Sequence, residues 1–238
     1  NIGLNIFDKS NISLFARSDN HKQTGYNETY KINFEQIFEK FNLGLSAMTG
    51  LRNPTLYEMY GTDNFGYSGN RDLMPEKSNT YELYSNFEIN NNFKFSIRGF
   101  KSAIKNNIEY INNKYQNDND DVDLKQNGIN TNFKIKINDN SINLFSSILD
   151  TKKENGSNQL RRPRKNYGIN FSKKINNFNF GNYLFNLSYN HYGKHYDTHS
   201  STFSLIEMDS TDLVDLKISK LINEGTHYFI KINNVFDE

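Results

Sequence analysis

The chain has 238 residues, of which 35% are hydrophobic and 14% aromatic, and its formal net charge is +1. A net charge this small provides no strong field for nucleic acid, so no nucleic-acid partner is expected. The mean hydropathy of -0.80 is low for a large soluble core, whereas the aromatic content argues against disorder. A wide β-barrel satisfies both observations, because only its outer face must be apolar.

Two further features narrow the class of protein. The sequence contains no cysteine, which fits an oxidising compartment without requiring one. No segment approaches the ~20 apolar residues of a transmembrane helix, which excludes a helical membrane protein. The chain begins within a strand-like stretch, NIGLNIF, with no signal sequence before it, so we expect it to be an internal part of a longer protein.

Apolar and polar residues alternate in nearly every segment, as in strands whose two faces meet different surroundings. In the first half the apolar positions are Ile12, Leu14, Ala16; Tyr30, Ile32, Phe34; Phe41, Leu43, Leu45, Ala47; Tyr81, Leu83, Phe87, Ile89; and Phe93, Phe95, Ile97. In the second half they are Phe133, Ile135, Ile137; Tyr167, Ile169, Phe171; Tyr183, Phe185, Leu187, Tyr189; Val214, Leu216, Ile218; and Tyr228, Ile230, Ile232. The pattern predicts roughly twelve strands of the length that a tilted membrane strand needs.

The predicted connections alternate strictly between short and long. Short or moderate turns are predicted at 8–9, 36–39, 90–92, 138–140, 174–180 and 223–225, and long loops at 18–27, 51–77, 113–121, 153–161 and 196–210. This parity places all long loops at one rim, which is typical of outer-membrane barrels and has no reason to occur in a soluble β-sandwich. We therefore predict an all-β fold, an antiparallel transmembrane β-barrel present in part, surrounded by outer-membrane lipid.

Four motifs on this predicted barrel resemble those of one family. LRNPTLYEMYG at 51–61 resembles the F-R-x-P-T-L-x-E-L-Y segment of TonB-dependent outer-membrane receptors, with Leu51 in place of the usual Phe. GNRDLMPEKSNTYEL at 69–83 is similar to the family's G-N-x-x-L-x-P-E-x-S-x-x-Y-E segment, in the same order and at the expected distance. RRP at 161–163 and NNVFD at 233–237 resemble the family's R-R-P and its N-L-F-D near the C-terminus. The similarity is greatest to receptors of the vitamin B12 and siderophore type.

The resemblance implies a 22-stranded barrel closed by an N-terminal plug, with energy delivered by the TonB complex of the inner membrane. Residues 1–238 would form strands ten to twenty-one of that one barrel domain, without the plug, the TonB box, the first nine strands or the last strand. The function implied is uptake of a large, scarce nutrient such as vitamin B12, a ferric siderophore or haem, with no resident cofactor. The alternatives are a passive porin without TonB coupling and a barrel enzyme, although no catalytic motif is found.

Two sets of loop residues are candidates for substrate binding. In the long loop at 51–77, aromatic faces with polar handles suit a metal chelate or corrinoid: Tyr57, Tyr60, Asp63, Asn64, Phe65, Tyr67 and Arg71. A tyrosine girdle at the membrane interface would explain the tyrosines equally. The second set is His191, His195 and His199; on a strand, positions four apart lie about 13 Å from each other, so these histidines can share a metal only if the chain turns.

Other motif residues are expected to be structural. Arg52 is positioned to donate hydrogen bonds to carbonyl groups at a strand end. Glu76, Ser78 and Glu82 are positioned to satisfy backbone donors and any lumenal arginine or lysine. The acidic run at 118–123 has ligands that suit Ca²⁺ but lacks an EF-hand pattern, so a solvated turn is favoured there.

Overall fold

The computed structural model describes residues 2–7, 9–111, 114–117, 124–153, 159–178, 181–199, 201–202, 204–223 and 226–237. The elements are β1 (Ile2–Phe7), β2 (Ser10–His21), β3 (Gly25–Ile37), β4 (Phe41–Arg52), α1 (Leu56–Tyr60), β5 (Glu76–Asn90), β6 (Phe93–Lys105), β7 (Ile108–Ile111), β8 (Lys114–Asn117), β9 (Leu124–Ile137), β10 (Asn140–Lys152), β11 (Lys165–Phe178), β12 (Gly181–Tyr192), β13 (His195–Thr198), β14 (Leu205–Met208), β15 (Thr211–Asn223) and β16 (Thr226–Ile232). The acidic run at 118–123 lies outside the described residues.

Twelve of these strands form one sheet in the order β1-β2-β3-β4-β5-β6-β9-β10-β11-β12-β15-β16. Every neighbouring pair is antiparallel, and β7–β8 and β13–β14 form two small separate hairpins. Within the described residues β1 and β16 each pair on one side, so the sheet is open. The predicted all-β antiparallel fold of about twelve strands is confirmed.

One face of the sheet is apolar and follows the predicted alternation. Directly paired residues share a face, and Phe95 pairs with both Phe87 and Phe133, while Leu144 pairs with Phe133 and Ile169. The rings of Phe87 and Phe95 lie 5.8 Å apart. Most large side chains on this face remain exposed, which is the arrangement of a surface that faces hydrocarbon rather than water.

The other face is polar, and its side chains bond to one another. The Arg98 guanidinium lies 3.8 Å from the Glu82 carboxylate and 6.0 Å from the centre of the Tyr84 ring. The Tyr84 hydroxyl donates to Asn33 Oδ1 at 3.1 Å. The predicted pairing of Glu82 with an arginine on this face is therefore confirmed.

Three aromatic rings on the polar face lie flat across glycines of the neighbouring strand. In each pair the two residues are direct partners in the ladder, and a Cβ on the glycine would come 2.1, 2.4 or 2.6 Å from the ring. The pairs are Tyr84 with Gly44, Phe100 with Gly128 and Phe145 with Gly168. Each ring occupies the space that a side chain would otherwise fill, so these rings cover backbone instead of projecting from the wall.

Four of the short turns share one rim of the sheet, where each receives a backbone hydrogen bond from the hairpin that follows. The bonds are Ile37 N to Lys9 O at 2.7 Å, Glu88 N to Lys40 O at 2.7 Å, Lys136 N to Asn92 O at 2.8 Å and Lys174 N to Asp139 O at 2.9 Å. These four turns therefore lie side by side at one rim of the sheet.

The predicted long loop at 18–27 is wrong. β2 continues to His21 and β3 begins at Gly25, with Ser18 paired to Glu28 and Asp19 to Asn27. The side chains in this stretch are polar, but a ladder is held by backbone groups and continues beyond the apolar band. The moderate turn at 174–180 is likewise shorter, because β11 runs to Phe178. No helix in the described ranges is long and apolar enough to cross a membrane.

Candidate functional site

The long connection from β4 to β5, residues 53–75, contains the helix α1. Thr55 is its N-cap: the Glu58 N–H donates to Thr55 Oγ1 at 3.2 Å, and the Thr55 N–H donates to the Glu58 carboxylate at 2.6 Å. This reciprocal capping box satisfies two backbone donors that the helix start would leave unpaired. Pro54 immediately before it has no N–H to satisfy. The sequence P-T-x-x-E therefore defines where α1 begins.

Arg52 joins the end of β4 to both ends of this connection. Its Nε and Nη2 donate to the Glu76 carboxylate at 2.7 and 2.8 Å, and its Nη1 donates to Glu58 at 3.1 and 3.2 Å. Glu76 also accepts the N–H of Ile108 at 2.8 Å. Arg52 thus donates to two carboxylates rather than to carbonyl groups, and the predicted role of Glu76 as an acceptor for backbone donors is confirmed.

The connection 53–75 packs on the β7–β8 hairpin through an apolar core. Met59, Leu73 and Ile108 form this core, with Tyr115 packed against it. Gly69 lies directly against α1, where a Cβ would be 2.5 Å from the backbone of Met59. The glycine is required by this close approach, because any side chain would push α1 off the core.

Four tyrosines surround the core: Tyr57, Tyr67, Tyr110 and Tyr115. Tyr67 stacks on Tyr57 with 4.8 Å between ring centroids and meets Tyr115 edge to face at 5.8 Å. The Tyr67 hydroxyl donates to the Tyr57 carbonyl at 2.6 Å. Burial raises the pKa of the Tyr67 hydroxyl, because the phenolate would lose its hydration. Tyr67 is 3% exposed, so the structure places it beneath the surface rather than on it.

Two asparagines tie the connection to the hairpin. Asn70 Nδ2 donates to the Tyr115 carbonyl at 3.0 Å. Asn117, which is buried, accepts the Met74 N–H at 2.7 Å and donates to the Met74 carbonyl at 2.9 Å. An amide side chain has both a donor and an acceptor. Asn117 therefore satisfies both the N–H and the carbonyl of Met74, as a neighbouring strand would.

All five long-side connections are joined to a neighbour by side-chain contacts. Thr24 Oγ1 donates to Asn53 Oδ1 at 2.9 Å, and Glu109 of β7 pairs with Lys153. The Arg161 guanidinium donates to Asp197 at 2.9 Å. We call residues 22–24, 53–75, 106–117, 153–164 and 193–210, so far as they are described, the loop layer. It forms one connected surface at the rim opposite the short turns.

Several predicted binding residues are exposed on this layer. Phe65 is 90% exposed, and the Arg71 guanidinium lies 5.2 Å from the centre of the Tyr60 ring. Asp63 Oδ1 accepts the N–H groups of Phe65 and Tyr67 at 2.8 and 2.9 Å. Asp63 therefore shapes the turn that displays Phe65. Asn64 is an exposed residue of the same turn, and Tyr57 is 55% exposed at the side of its stack.

The three predicted histidines lie in different settings. His191 ends β12, where its Nδ1 lies 2.8 Å from Asp212 and its ring stacks on Tyr167 at 4.4 Å. His195 begins β13, whereas His199 follows that strand and its Nδ1 accepts the Ser201 N–H at 3.3 Å. Among the described residues no group of three or more His, Cys, Asp or Glu side chains is arranged to hold a metal ion.

Sequence reasoning missed the residues that complete this site from β7 and β8. These are Ile108, Glu109, Tyr110, Tyr115 and Asn117. The closely spaced Tyr115 and Asn117 of β8 are the sequence signal for this part of the site. Their contacts with residues 53–75 span more than forty positions, and local periodicity does not report contacts over such distances.

Comparison with known proteins gives consistent results for nearly the whole chain. The family model described as "TonB dependent receptor-like, beta-barrel" matches residues 3–235. The vitamin B12 transporter BtuB of Vibrio cholerae serotype O1 is 24% identical over 252 aligned positions, covering 98% of this chain and 39% of the relative.

Solved structures share the fold. The siderophore receptor PirA from Acinetobacter baumannii superimposes with a TM-score of 0.77 at 16% identity, over 99% of this chain and 40% of that one. The ferric yersiniabactin uptake receptor FyuA from Yersinia pestis gives 0.69 at 15% identity, over 98% and 39%. The chain thus spans well under half the length of the proteins that it matches.

Proposed function

Since the chain belongs to the TonB-dependent receptor-like β-barrel family and lies in the bacterial outer membrane, we propose that the protein carrying it binds a large, scarce nutrient outside the cell and imports it with energy delivered by TonB. The proposed ligand is vitamin B12 or another corrinoid, a ferric siderophore, or haem. The names of the related proteins, a vitamin B12 transporter and siderophore receptors, support a transport receptor rather than an enzyme.

Residues 1–238 are proposed to be one part of a single barrel domain. The unbroken twelve-stranded sheet and the family match over residues 3–235 support this assignment. The plug and the contact with TonB are then expected elsewhere in the longer protein. The polar face, with its bonded network around Tyr84 and Arg98, is the wall that such a plug would contact.

The observation that carries the proposal is the connected loop layer with exposed aromatic and cationic groups above a packed base. Phe65 projects from a turn fixed by Asp63, and Arg71 lies over the Tyr60 ring. An exposed ring on a rigid turn loses little conformational entropy on binding. Arg71 supplies positive charge beside an aromatic face, which suits an anionic or planar ligand such as a ferric chelate or haem.

The test is equilibrium binding to the full-length protein in neutral detergent, with cyanocobalamin, a ferric catecholate siderophore and haemin as separate ligands. Phe65→Ala and Arg71→Gln should each lower the affinity for the cognate ligand by on the order of tenfold or more, the usual cost of truncating an interface anchor. Phe38→Ala is the matched control, because Phe38 is also an exposed phenylalanine but lies at the short-turn rim.

Two results would oppose the proposal. If Phe65→Ala and Arg71→Gln bind a ligand as tightly as wild type does, the loop layer takes no part in recognising that ligand. Uptake that continues undiminished in a strain without TonB, together with a steady open conductance in planar bilayers, would instead support the passive porin.

A further inference from the structure

The strands β3 and β4 part before either of them ends. Their ladder stops at the pair Lys31–Met48, although β3 begins at Gly25 and β4 continues to Arg52. Over these stretches β3 stays paired with β2, and β4 stays paired with β5. The sheet therefore has a gap between β3 and β4 at the end nearest the loop layer.

Side chains bridge this gap at both of its ends. The Tyr30 N–H donates to Thr49 Oγ1 at 2.8 Å where the ladder stops, and Thr24 Oγ1 donates to Asn53 Oδ1 at 2.9 Å at the far end. An inserted strand would need about 4.8 Å to each of its two neighbours, which the bridges do not allow. The gap therefore suits a small molecule and not an extended peptide.

Backbone groups face each other across the gap. Alternate residues of a strand direct their N–H and C=O groups to the same side, so Glu28 directs them toward β4, as Tyr30 does. Continuing the register of the ladder places Leu51 opposite Glu28, with its backbone groups directed at β3. Within the described residues no ladder pair joins Glu28 to Leu51. Each edge thus offers a donor and an acceptor that a ligand can pair.

A pocket of about 280 Å³ occupies the gap. Polar residues of β2 and β3 line one side of it and residues at the end of β4 line the other: Arg17, Asp19 and Thr29, and Gly50, Leu51 and Asn53. The register places Gly50 opposite Thr29, so the side chain that glycine lacks leaves this space open. The volume is at the lower limit for ligand pockets, so the pocket fits one small molecule.

The charges in the pocket favour a neutral ligand. Arg17 Nε and Nη2 both donate to Asp19 Oδ1, at 3.0 and 2.8 Å. The guanidinium opposes a cation and the carboxylate opposes an anion, while a zwitterion would have to break this pair to use both charges. A hydroxyl group both donates and accepts hydrogen bonds, so it matches the mixture of N–H, C=O, amide and carboxylate groups present.

We propose that the gap between β3 and β4 is a binding site for a small neutral molecule rich in hydroxyl groups, such as a single sugar ring. Its hydroxyls bond to the backbone groups of Glu28 and Leu51 and to the second carboxylate oxygen of Asp19. This site shares no residue with the exposed groups of the loop layer to which nutrient binding is assigned, and it does not depend on import.

The first test uses the full-length protein in dodecyldimethylamine oxide, a detergent without sugar. Saturation-transfer NMR measures binding of methyl α-D-glucoside, methyl α-D-mannoside and methyl β-D-galactoside, and at least one of them should bind saturably. Asp19→Asn should lower its affinity by on the order of tenfold, because a hydrogen bond to a charged group is weakened. Asp139→Asn is the matched control, since Asp139 lies in a short turn at the other rim, and it should bind as wild type.

The second test fills the pocket. Thr29→Leu should abolish saturable binding while thermal unfolding in detergent stays unchanged, because the larger side chain enters the space opposite Gly50. Ser13→Leu is the control: Ser13 pairs with Asn33 on the same polar face but does not line the pocket. It should bind the sugar as wild type does.

Amide hydrogen exchange reads out the backbone contacts directly. Bound sugar should slow exchange at Glu28 and Leu51 and leave Asn27 and Thr29 unchanged, because the N–H groups of the latter two point toward β2. The proposal is overturned if none of the three glycosides binds saturably, or if inorganic phosphate or the zwitterion glycine betaine binds as tightly as the best of them. It is also overturned if Asp19→Asn or Thr29→Leu binds as wild type, or if bound sugar leaves exchange at Glu28 and Leu51 unchanged.

Discussion

The sheet and the loop layer are held together in different ways. The most buried apolar residues described in the chain are Met59, Tyr67, Leu73, Ile108 and Leu124, and all of them lie in the loop layer or at its junction with β9. The sheet has continuous ladders but exposes Leu45, Leu83 and many similar residues. The loop layer therefore folds as a small soluble protein does, by excluding water, whereas the sheet relies on backbone pairing and on lipid.

Leu73→Ala tests this contrast most strongly. Leu73 is 4% exposed in the loop core, so the change should lower the free energy of opening the loop layer by about 3 kcal/mol, the transfer and cavity cost of a buried leucine. Leu83→Ala on the apolar face creates no closed cavity, so it should lack the cavity part of that cost. Amide hydrogen exchange of residues 53–75 measures the first effect and thermal unfolding in detergent the second. Equal costs would contradict the contrast.

Gly69→Ala should have the next largest effect. The new methyl would be 2.5 Å from the backbone of Met59, and overpacking of this kind costs about 2 kcal/mol. Exchange should accelerate at the amides of α1 while β5 and β6 stay protected. Gly99→Ala is the control, because its Cβ enters open space. Unchanged exchange in Gly69→Ala would show that α1 is not held by this contact.

Arg52→Ala should lower the free energy of opening the loop layer by about 2 kcal/mol, because it leaves the Glu58 and Glu76 carboxylates without their cation. The side chain of Arg52 is 42% exposed, so solvent screening limits the loss. Arg17→Ala removes a guanidinium that is 74% exposed and bonded to Asp19 within one strand, and should have almost no effect. If both changes cost the same, Arg52 has no special role in the loop.

A pH titration should give the smallest effect. Burial raises the pKa of Tyr67 and of Tyr115 above the ordinary value of about 10. The protonated phenol is therefore favoured in the closed layer, and its stabilisation is full below pH of about 10 and is lost as pH rises through the raised pKa. Tyrosinate absorbance should show a late-titrating group that diminishes in Tyr67→Phe. Titration of all tyrosines together near pH 10 would contradict this.

The alternation of apolar and polar residues predicted the sheet well, because successive side chains of a strand face opposite sides and so meet different environments. It placed Phe87, Phe95 and Phe133 on one face, where the ladder pairs them. It ended β2 too early, because polar side chains do not prevent backbone pairing near His21.

Within the site, the capping box at Thr55 and Glu58 is a local signal and could be read directly. The burial of Tyr67 could not, because it depends on Tyr115 and on the hairpin that brings β8 under the loop. The contacts that make the loop layer one body are long-range, and residue type alone does not specify them.

Three rings on the polar face lie over glycines, and the glycines determine how far those rings stand out from the sheet. Because a Cβ at Gly128 or Gly168 would clash with the Phe100 or Phe145 ring, alanine at either position would push the ring away from the backbone. In each of these pairs, then, the single hydrogen that glycine has in place of a methyl group determines how closely the ring can lie on the sheet.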